Sequence, residues 1–371
     1  MSSLDFTALR RWPDIEADNL FAFDASDRLI LDLASSQVFA ARVVVIGDNY
    51  GALTTGALEL GARDIRVHQD ELLGERALAA NAPGGSYSNH PLDSSLLSGA
   101  TLVLMQMPRS LGELEEQLDA IARYADPAVT VIAGGRIKHI TPTMNPIMSR
   151  YFASFDISLA QQKSRAFTLR QPRPAAEHPF PIRAFHRDLE LWNAAYGAVF
   201  AGATVDLGTR MLLLAVRASP IDSGTAIDLG CGSGLVAASI ARTKPGMRVI
   251  ATDQSAAAVA SAAITAKLNE VADRVAVVRD DGLESQPDGS ADLIALNPPF
   301  HIGATVHTGQ ALRLFADAAR VLRPGGELWT VFNTHLGYRQ ALARIVGPTE
   351  LVTHNAKFTV TVSRKSAKKG Q

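Results

Sequence analysis

At 371 residues, 47% of them apolar and 20% charged, the chain has room for two domains with a sizeable core in each. It holds no run of about 18 apolar residues, so no membrane span is expected, and its acidic start lacks the apolar centre of a signal peptide. The single cysteine, Cys231, excludes an intramolecular disulfide and fits a reducing cytoplasm, while a net charge of −1 excludes a uniformly basic nucleic-acid binder.

Val43-Val44-Val45-Ile46-Gly47 reads as a buried parallel strand, followed by the turn Asp48-Asn49-Tyr50-Gly51 and a small-residue helix over residues 52–61. Ile65-Arg66-Val67-His68-Gln69-Asp70 reads as the next strand, ending in an acid. Leu104-Met105-Gln106-Met107 is an apolar strand end. Residues 171–182 contain four prolines and interrupt regular structure, as a linker would. Beyond them, Met211–Val216 reads as an apolar helix, Thr225–Leu229 as a strand, Leu235–Ala241 as a helix, and Arg248–Asp253 as a strand that again ends in an acid. Charge is unevenly spread: residues 136–187 carry 9 Lys and Arg against 2 Asp and Glu, a local surface that could bind phosphates, and Arg364, Lys365, Lys368 and Lys369 form a basic tail.

The two halves repeat. Gly230 follows Gly47, Gly234 follows Gly51 and Asp253 follows Asp70, each at a spacing of 183. Asn297 follows Gln106 at 191, and Gly325-Gly326 follows Gly134-Gly135 at the same 191. Two fixed spacings with one insertion between them predict tandem copies of one α/β domain, each a doubly wound, mostly parallel Rossmann-like sheet. The copies are unequal. Where the second has Asp228, Gly232 and Asn297, the first has Val45, Asn49 and Gln106. A degenerate domain over residues 1–170 is therefore expected, serving as scaffold or docking surface, then the linker 171–182 and a catalytic domain over 183–371.

Asp228-x-Gly230-x-Gly232-x-Gly234 differs from a dinucleotide fingerprint: the glycines alternate and an acid ends the strand. A dinucleotide needs a helix N-terminus open to pyrophosphate. S-adenosylmethionine has no phosphate and carries an ammonium and a sulfonium, which an acid suits. Asp228 would face its amino-acid end, and Asp253 would take both ribose hydroxyls. Asp281, or its neighbour Asp280, would accept from the adenine amine. Asp206 and Thr209 flank a glycine before the helix at Met211; they are either a helix cap or part of a loop folded over the methionine end of the cofactor. Cys231, inside the turn, reads as packing.

Asn297-Pro298-Pro299-Phe300 supplies a rigid polar clamp. Two prolines fix φ and remove two donors, leaving the Asn297 side-chain oxygen and the Pro298 carbonyl as fixed acceptors. A planar amine that donates both hydrogens is held in one orientation, and the charge that develops on methyl transfer is favoured. Phe300 can stack on the ring. His301 either positions the base or its phosphate or lines the cleft mouth. No metal-ligand spacing occurs among the histidines and the cysteine.

The segments 199–213, Asp228–Gly234, 297–303 and 322–338 together resemble the bacterial ribosomal RNA guanine-N2 methyltransferases of the small- and large-subunit type. The resemblance covers residues 183–362 and, less closely, 40–170; Ala201 departs from it, standing where a small hydroxyl residue is expected. It implies two tandem class I methyltransferase domains, the first degenerate. It also implies that Asn297, Pro298 and Phe300 hold guanine, that the Gly230 turn and Asp253 bind S-adenosylmethionine, and that the partner is ribosomal RNA or a ribosomal subunit, with an unpaired or flipped base as target. The alternatives are methylation of adenine N6 or of a protein glutamine amide, and a catalytically silent RNA-binding assembly protein. A nicotinamide oxidoreductase is disfavoured by the glycine pattern.

Overall fold

The computed structural model describes residues 5–298 and 304–366, apart from the side chains of 304–308. Pro299, Phe300 and His301 therefore lie outside the described residues. The chain divides into two compact units, one up to Phe180 and one from Pro181. The ends of the expected linker are strand: one strand runs on through Pro172 and the next begins at Ile182.

In the first unit the strands are β1 (Val43–Ile46), β2 (Ile65–His68), β3 (Tyr87–Asn89), β4 (Leu102–Gln106), β5 (Thr130–Arg136), β6 (Phe152–Ile157) and β7 (Ser164–Pro172). They form one sheet in the order β3-β2-β1-β4-β5-β7-β6, with β7 antiparallel to both neighbours and the other pairs parallel. The second unit opens with a hairpin, β8 (Ile182–His186) and β9 (Leu191–Ala195). Its sheet uses β10 (Ser223–Leu229), β11 (Gly246–Asp253), β12 (Val275–Arg279), β13 (Ala291–Leu296), β14 (Leu322–Asn333), β15 (Thr349–His354) and β16 (Phe358–Arg364). The order is β12-β11-β10-β13-β14-β16-β15, the same plan as the first, again with one inserted antiparallel strand.

Burial explains the near-continuous apolar runs. Helices cover both faces of each sheet, so both sets of alternating side chains are dry. Along β10 and β13, Ala226, Leu293 and Ala295 join one core with Val236 and Ile240, while Ile227, Leu229, Ile294 and Leu296 join another with Phe315 and Leu328. The first sheet splits the same way, Val44, Ile46 and Val103 on one side and Val43, Val45 and Leu104 on the other.

Ladder register tests the repeat residue by residue. Val43 lies opposite Leu102, and Ala226, 183 residues later, lies opposite Leu293, 191 residues after Leu102. The two spacings hold there. They fail at two places. Val44 pairs with Arg66 but Ile227 pairs with Ile250, so β11 sits one residue further on than the spacing of 183 predicts. The residue in the place of Asp253 is thus Gln69, not Asp70, and β2 ends before either, at His68. The glycine pairs also fail to correspond. Gly134 lies inside the β4–β5 ladder opposite Gln106, where a Cβ would meet Ile30 Cγ1 at 2.6 Å. Gly325, at φ +81°, belongs to an irregular stretch of β14 before regular pairing with β13 resumes at Glu327.

Candidate active site

β10 ends in the turn that carries the alternating glycines. Gly230, Gly232 and Gly234 have φ of +69°, +51° and +76°, a region that side chains disfavour. They serve two purposes. Among the described residues, a Cβ on Gly230 or Gly232 would meet nothing within 4 Å, leaving open space over the turn, whereas one on Gly234 would come within 2.6 Å of Ala262 Cβ. The first two leave room for a ligand; the third lets the helix Leu235–Thr243 pack closely on the helix Ala256–Leu268. Cys231 is buried in the apolar core and burial pushes its thiol up, as packing requires.

Three carboxylates expected to face the cofactor have protein partners. Asp228 is buried and its Oδ2 accepts from the Ala237 amide at 2.9 Å. Burial, helped by the negative charge of Asp253, pushes this carboxyl up to about 8 against that hydrogen bond. Asp253 spans the turn, its Oδ2 accepting from Gly232 N at 2.9 Å and its Oδ1 from Ser255 N at 3.0 Å. Asp281 is one half of a bidentate ion pair with Arg313, whose Nη1 donates to Oδ2 at 2.7 Å. The guanidinium, delivered from the helix Ala304–Val321, bonds to both oxygens. Asp280 is no freer, accepting from Ser285 Oγ at 2.7 Å and from Ser285 N at 3.1 Å.

The loop before the helix Leu207–Val216 caps that helix, the first of the two roles the sequence allowed. Asp206 is its N-cap, with Oδ1 accepting from Gly208 N at 2.9 Å and Thr209 N at 3.1 Å. Val199 and Ala203 pack on Ala258 at the start of the helix that follows Asp253. Thr209 reaches the strand end: its Oγ1 accepts from Asn297 Nδ2 at 3.0 Å. The other end of that amide, Asn297 Oδ1, is buried and has no hydrogen-bond partner among the described residues. A buried carbonyl oxygen left unpaired costs about 1–3 kcal/mol. Next to it, Pro298 is buried.

Two of these contacts, Thr209 to Asn297 and Arg313 to Asp281, were not read from the sequence. The partners stand 88 and 32 residues apart and no local spacing announces them.

The first unit shows the matching turn with a side chain where the second has Gly232. Asn49 takes the place of Gly232 and keeps its left-handed backbone, φ +57°. The acid missing at Val45 is replaced three residues later. Asp48 accepts from Leu53 N at 2.7 Å and Thr54 N at 2.9 Å, and Thr54 precedes Ala237 by 183 residues. The helix amide thus keeps its carboxylate. Tyr50 in this turn lies under the Arg11 guanidinium, 4.4 Å from the ring centroid, and donates to Asp14 at 2.5 Å.

The residues that fit a cofactor and a planar amine converge on the C-terminal edge of the second sheet, where a Rossmann-like fold binds ligands. Comparison with known proteins agrees. Residues 190–362 match the methyltransferase small domain, and residues 2–173 match the RLMG N-terminal domain. The chain is 34% identical to the ribosomal RNA large subunit methyltransferase G of Streptomyces coelicolor, covering 95% of this chain and 96% of the relative. It is 36% identical to the protein of the same name from Pseudomonas entomophila, covering 96% and 97%. Among solved structures, a T. thermophilus 16S rRNA N2 G1207 methyltransferase in complex with AdoMet and guanosine superposes with a TM-score of 0.72 at 21% identity, over 91% of this chain and 92% of that one. That likeness shows the fold, two tandem class I methyltransferase domains. With both family models and two full-length relatives in agreement, the chain belongs to the ribosomal RNA large subunit methyltransferase G family.

Proposed function

We propose that this protein transfers a methyl group from S-adenosylmethionine to the exocyclic N2 amine of a guanosine in ribosomal RNA, with large-subunit RNA as the substrate its relatives' name indicates. The observation that carries the proposal is Asn297 Oδ1, a buried acceptor with no partner among the described residues, at the strand end beside an open glycine turn. An amine hydrogen would satisfy it. Accepting that hydrogen aligns the nitrogen lone pair and favours the positive charge that grows on nitrogen. S-adenosylmethionine supplies an electrophilic methyl on a cationic sulfur. Gly230 and Gly232 leave the space for it and Asp253 offers a carboxylate beside the turn. Phe300 and His301, by the resemblance, would contact the base.

The N-terminal unit is assigned to docking RNA. At the edge where β4 and β5 leave their sheet, Arg109, Arg136, Lys138, Lys163 and Arg165 have no acidic partner among the described residues. By contrast, Arg150 is paired with Glu115 and Arg170 with Asp156. The cluster is dense enough to act on His139, which burial pushes down, with Arg109, Lys138 and Arg136 adding to the effect. Unpaired cations at one edge suit a phosphate backbone.

The test is to incubate the purified protein with methyl-labelled S-adenosylmethionine and deproteinised large- or small-subunit ribosomal RNA, then digest to nucleosides. Label in N2-methylguanosine from large-subunit RNA is the expected result. Label only in N6-methyladenosine or in protein would replace the guanine assignment.

A further inference from the structure

We infer that Thr209 is a positioning residue for methyl transfer, fixing the Asn297 amide so that its oxygen faces the target amine, and that it does not bind the cofactor. This rests on the proposed role of Asn297. An asparagine amide has a donor end and an acceptor end of nearly equal shape, and only the acceptor end can receive an amine hydrogen. Here the donor end is anchored: Nδ2 gives one of its two hydrogens to Thr209 Oγ1 at 3.0 Å. Thr209 is itself anchored, because its backbone N–H is bonded to Asp206 Oδ1 at 3.1 Å in a capped first turn. The oxygen is left over, buried and without a partner among the described residues.

The first unit supplies a natural comparison. Gln106 stands where Asn297 does, and Asp27 and Ser26 each precede Thr209 and Gly208 by 182 residues. Gln106 Nε2 donates to Asp27, the same anchoring contact. Ser26 Oγ lies 3.1 Å from Gln106 Oε1 and shares its single hydrogen between that oxygen and Asp24 Oδ1. Both ends of that amide thus face a polar side chain. In the second unit Gly208 has no hydroxyl to bring to the amide oxygen. The pair Gly208-Thr209 anchors the amide without placing a hydroxyl against its acceptor end.

The experiment compares Thr209→Val, Thr209→Ser and Asn297→Ala, singly and with Thr209→Val combined with Asn297→Ala, in the full chain. Deproteinised large-subunit ribosomal RNA is the substrate, with N2-methylguanosine as readout and cofactor affinity measured by calorimetry. Valine keeps the shape and removes the acceptor for Nδ2. Thr209→Val should lower kcat about 10- to 100-fold, with KM for RNA and Kd for S-adenosylmethionine within about threefold of wild type. Thr209→Ser should restore kcat to within about threefold, and Thr209→Val should add nothing once Asn297 is alanine. A wild-type kcat in Thr209→Val, equal losses in the valine and serine variants, or additive losses in the double variant would overturn the inference. Loss of cofactor affinity in Thr209→Val would return Thr209 to the cofactor site. Wild-type protein that makes no N2-methylguanosine while binding S-adenosylmethionine would overturn the underlying function instead.

Discussion

Removing the Asn297 side chain should separate activity from stability. Asn297→Ala deletes one hydrogen bond, Nδ2 to Thr209 Oγ1 at 3.0 Å, whose net contribution is about 1 kcal/mol. It also deletes the unpartnered buried oxygen, whose burial costs about 1–3 kcal/mol. The two nearly cancel or favour the variant. Since 1 kcal/mol moves Tm by about 2–4 °C in a domain of this size, the variant should melt no more than a few degrees below wild type and can melt above it. Turnover behaves differently. An oriented acceptor that acts on developing charge contributes about 100- to 1,000-fold, so single-turnover formation of N2-methylguanosine should fall by that factor while calorimetric affinity for S-adenosylmethionine stays close to wild type. A rate within threefold of wild type would take Asn297 out of the chemistry. A Tm drop of ten degrees would show that the oxygen has a stabilising partner in the native protein and is not poised for substrate.

Three further outcomes are expected. Gly232→Asn should fold with near-normal stability, because asparagine holds the same left-handed turn at Asn49; but its side chain would enter the open space over Gly232, and calorimetry should show at least a roughly 10-fold loss of cofactor affinity, 1.4 kcal/mol or more. Normal affinity would mean the cofactor does not use that space. Asp228 is raised in the folded state to about 8, so the native protein keeps a proton that the unfolded chain has released above about pH 4. That contribution is full below about pH 4 and is lost as pH rises to about 8; Asp228→Asn should therefore gain on wild type between pH 5 and 8, by up to about 1.4 kcal/mol per pH unit, and a pH-independent difference in chemical denaturation would refute a neutral buried carboxyl. Reversing Arg136, Lys138 and Lys163 to glutamate should weaken RNA binding and reduce the slope of log affinity on log salt by about 2. An unchanged slope in filter binding would move the docking surface elsewhere.

Features set by a few neighbouring residues were legible from the letters. Alternate glycines announce left-handed turns, and short apolar runs between them announce strands dry on both faces. Identical letters at a fixed spacing were less reliable, because they ignore the ladder. The acid Asp70 looked like the partner of Asp253, yet hydrogen bonding puts Gln69 there. The glycine pairs at 134 and 325 looked equivalent, yet only the first lies in the regular ladder. The acid missing at Val45 looked lost, yet Asp48 supplies it in space. Arg313 on Asp281 and Thr209 on Asn297 are tertiary contacts that no window of sequence contains.

The duplication sorts the site's contacts by purpose. Both units keep a left-handed turn, a carboxylate on the first amides of the following helix, and an amide anchored at the end of the fourth strand. Those features persist where no ligand pattern survives, so they belong to the architecture, and the helix-amide contact of Asp228 belongs with them. At the matching positions the second unit has glycine at 232 where the first has Asn49, an acid at the end of β11 where the first has Gln69, and, among the described residues, no partner for the Asn297 amide oxygen. Each of these is a feature that folding does not need and a ligand would use. An unpaired buried acceptor in particular is a standing cost, and at the matching place in the first unit the Ser26 hydroxyl lies 3.1 Å from the Gln106 oxygen. That it is left open in one copy and faced by a hydroxyl in the other is what a site kept ready for a hydrogen-bond donor, beside a copy released from that duty, would look like.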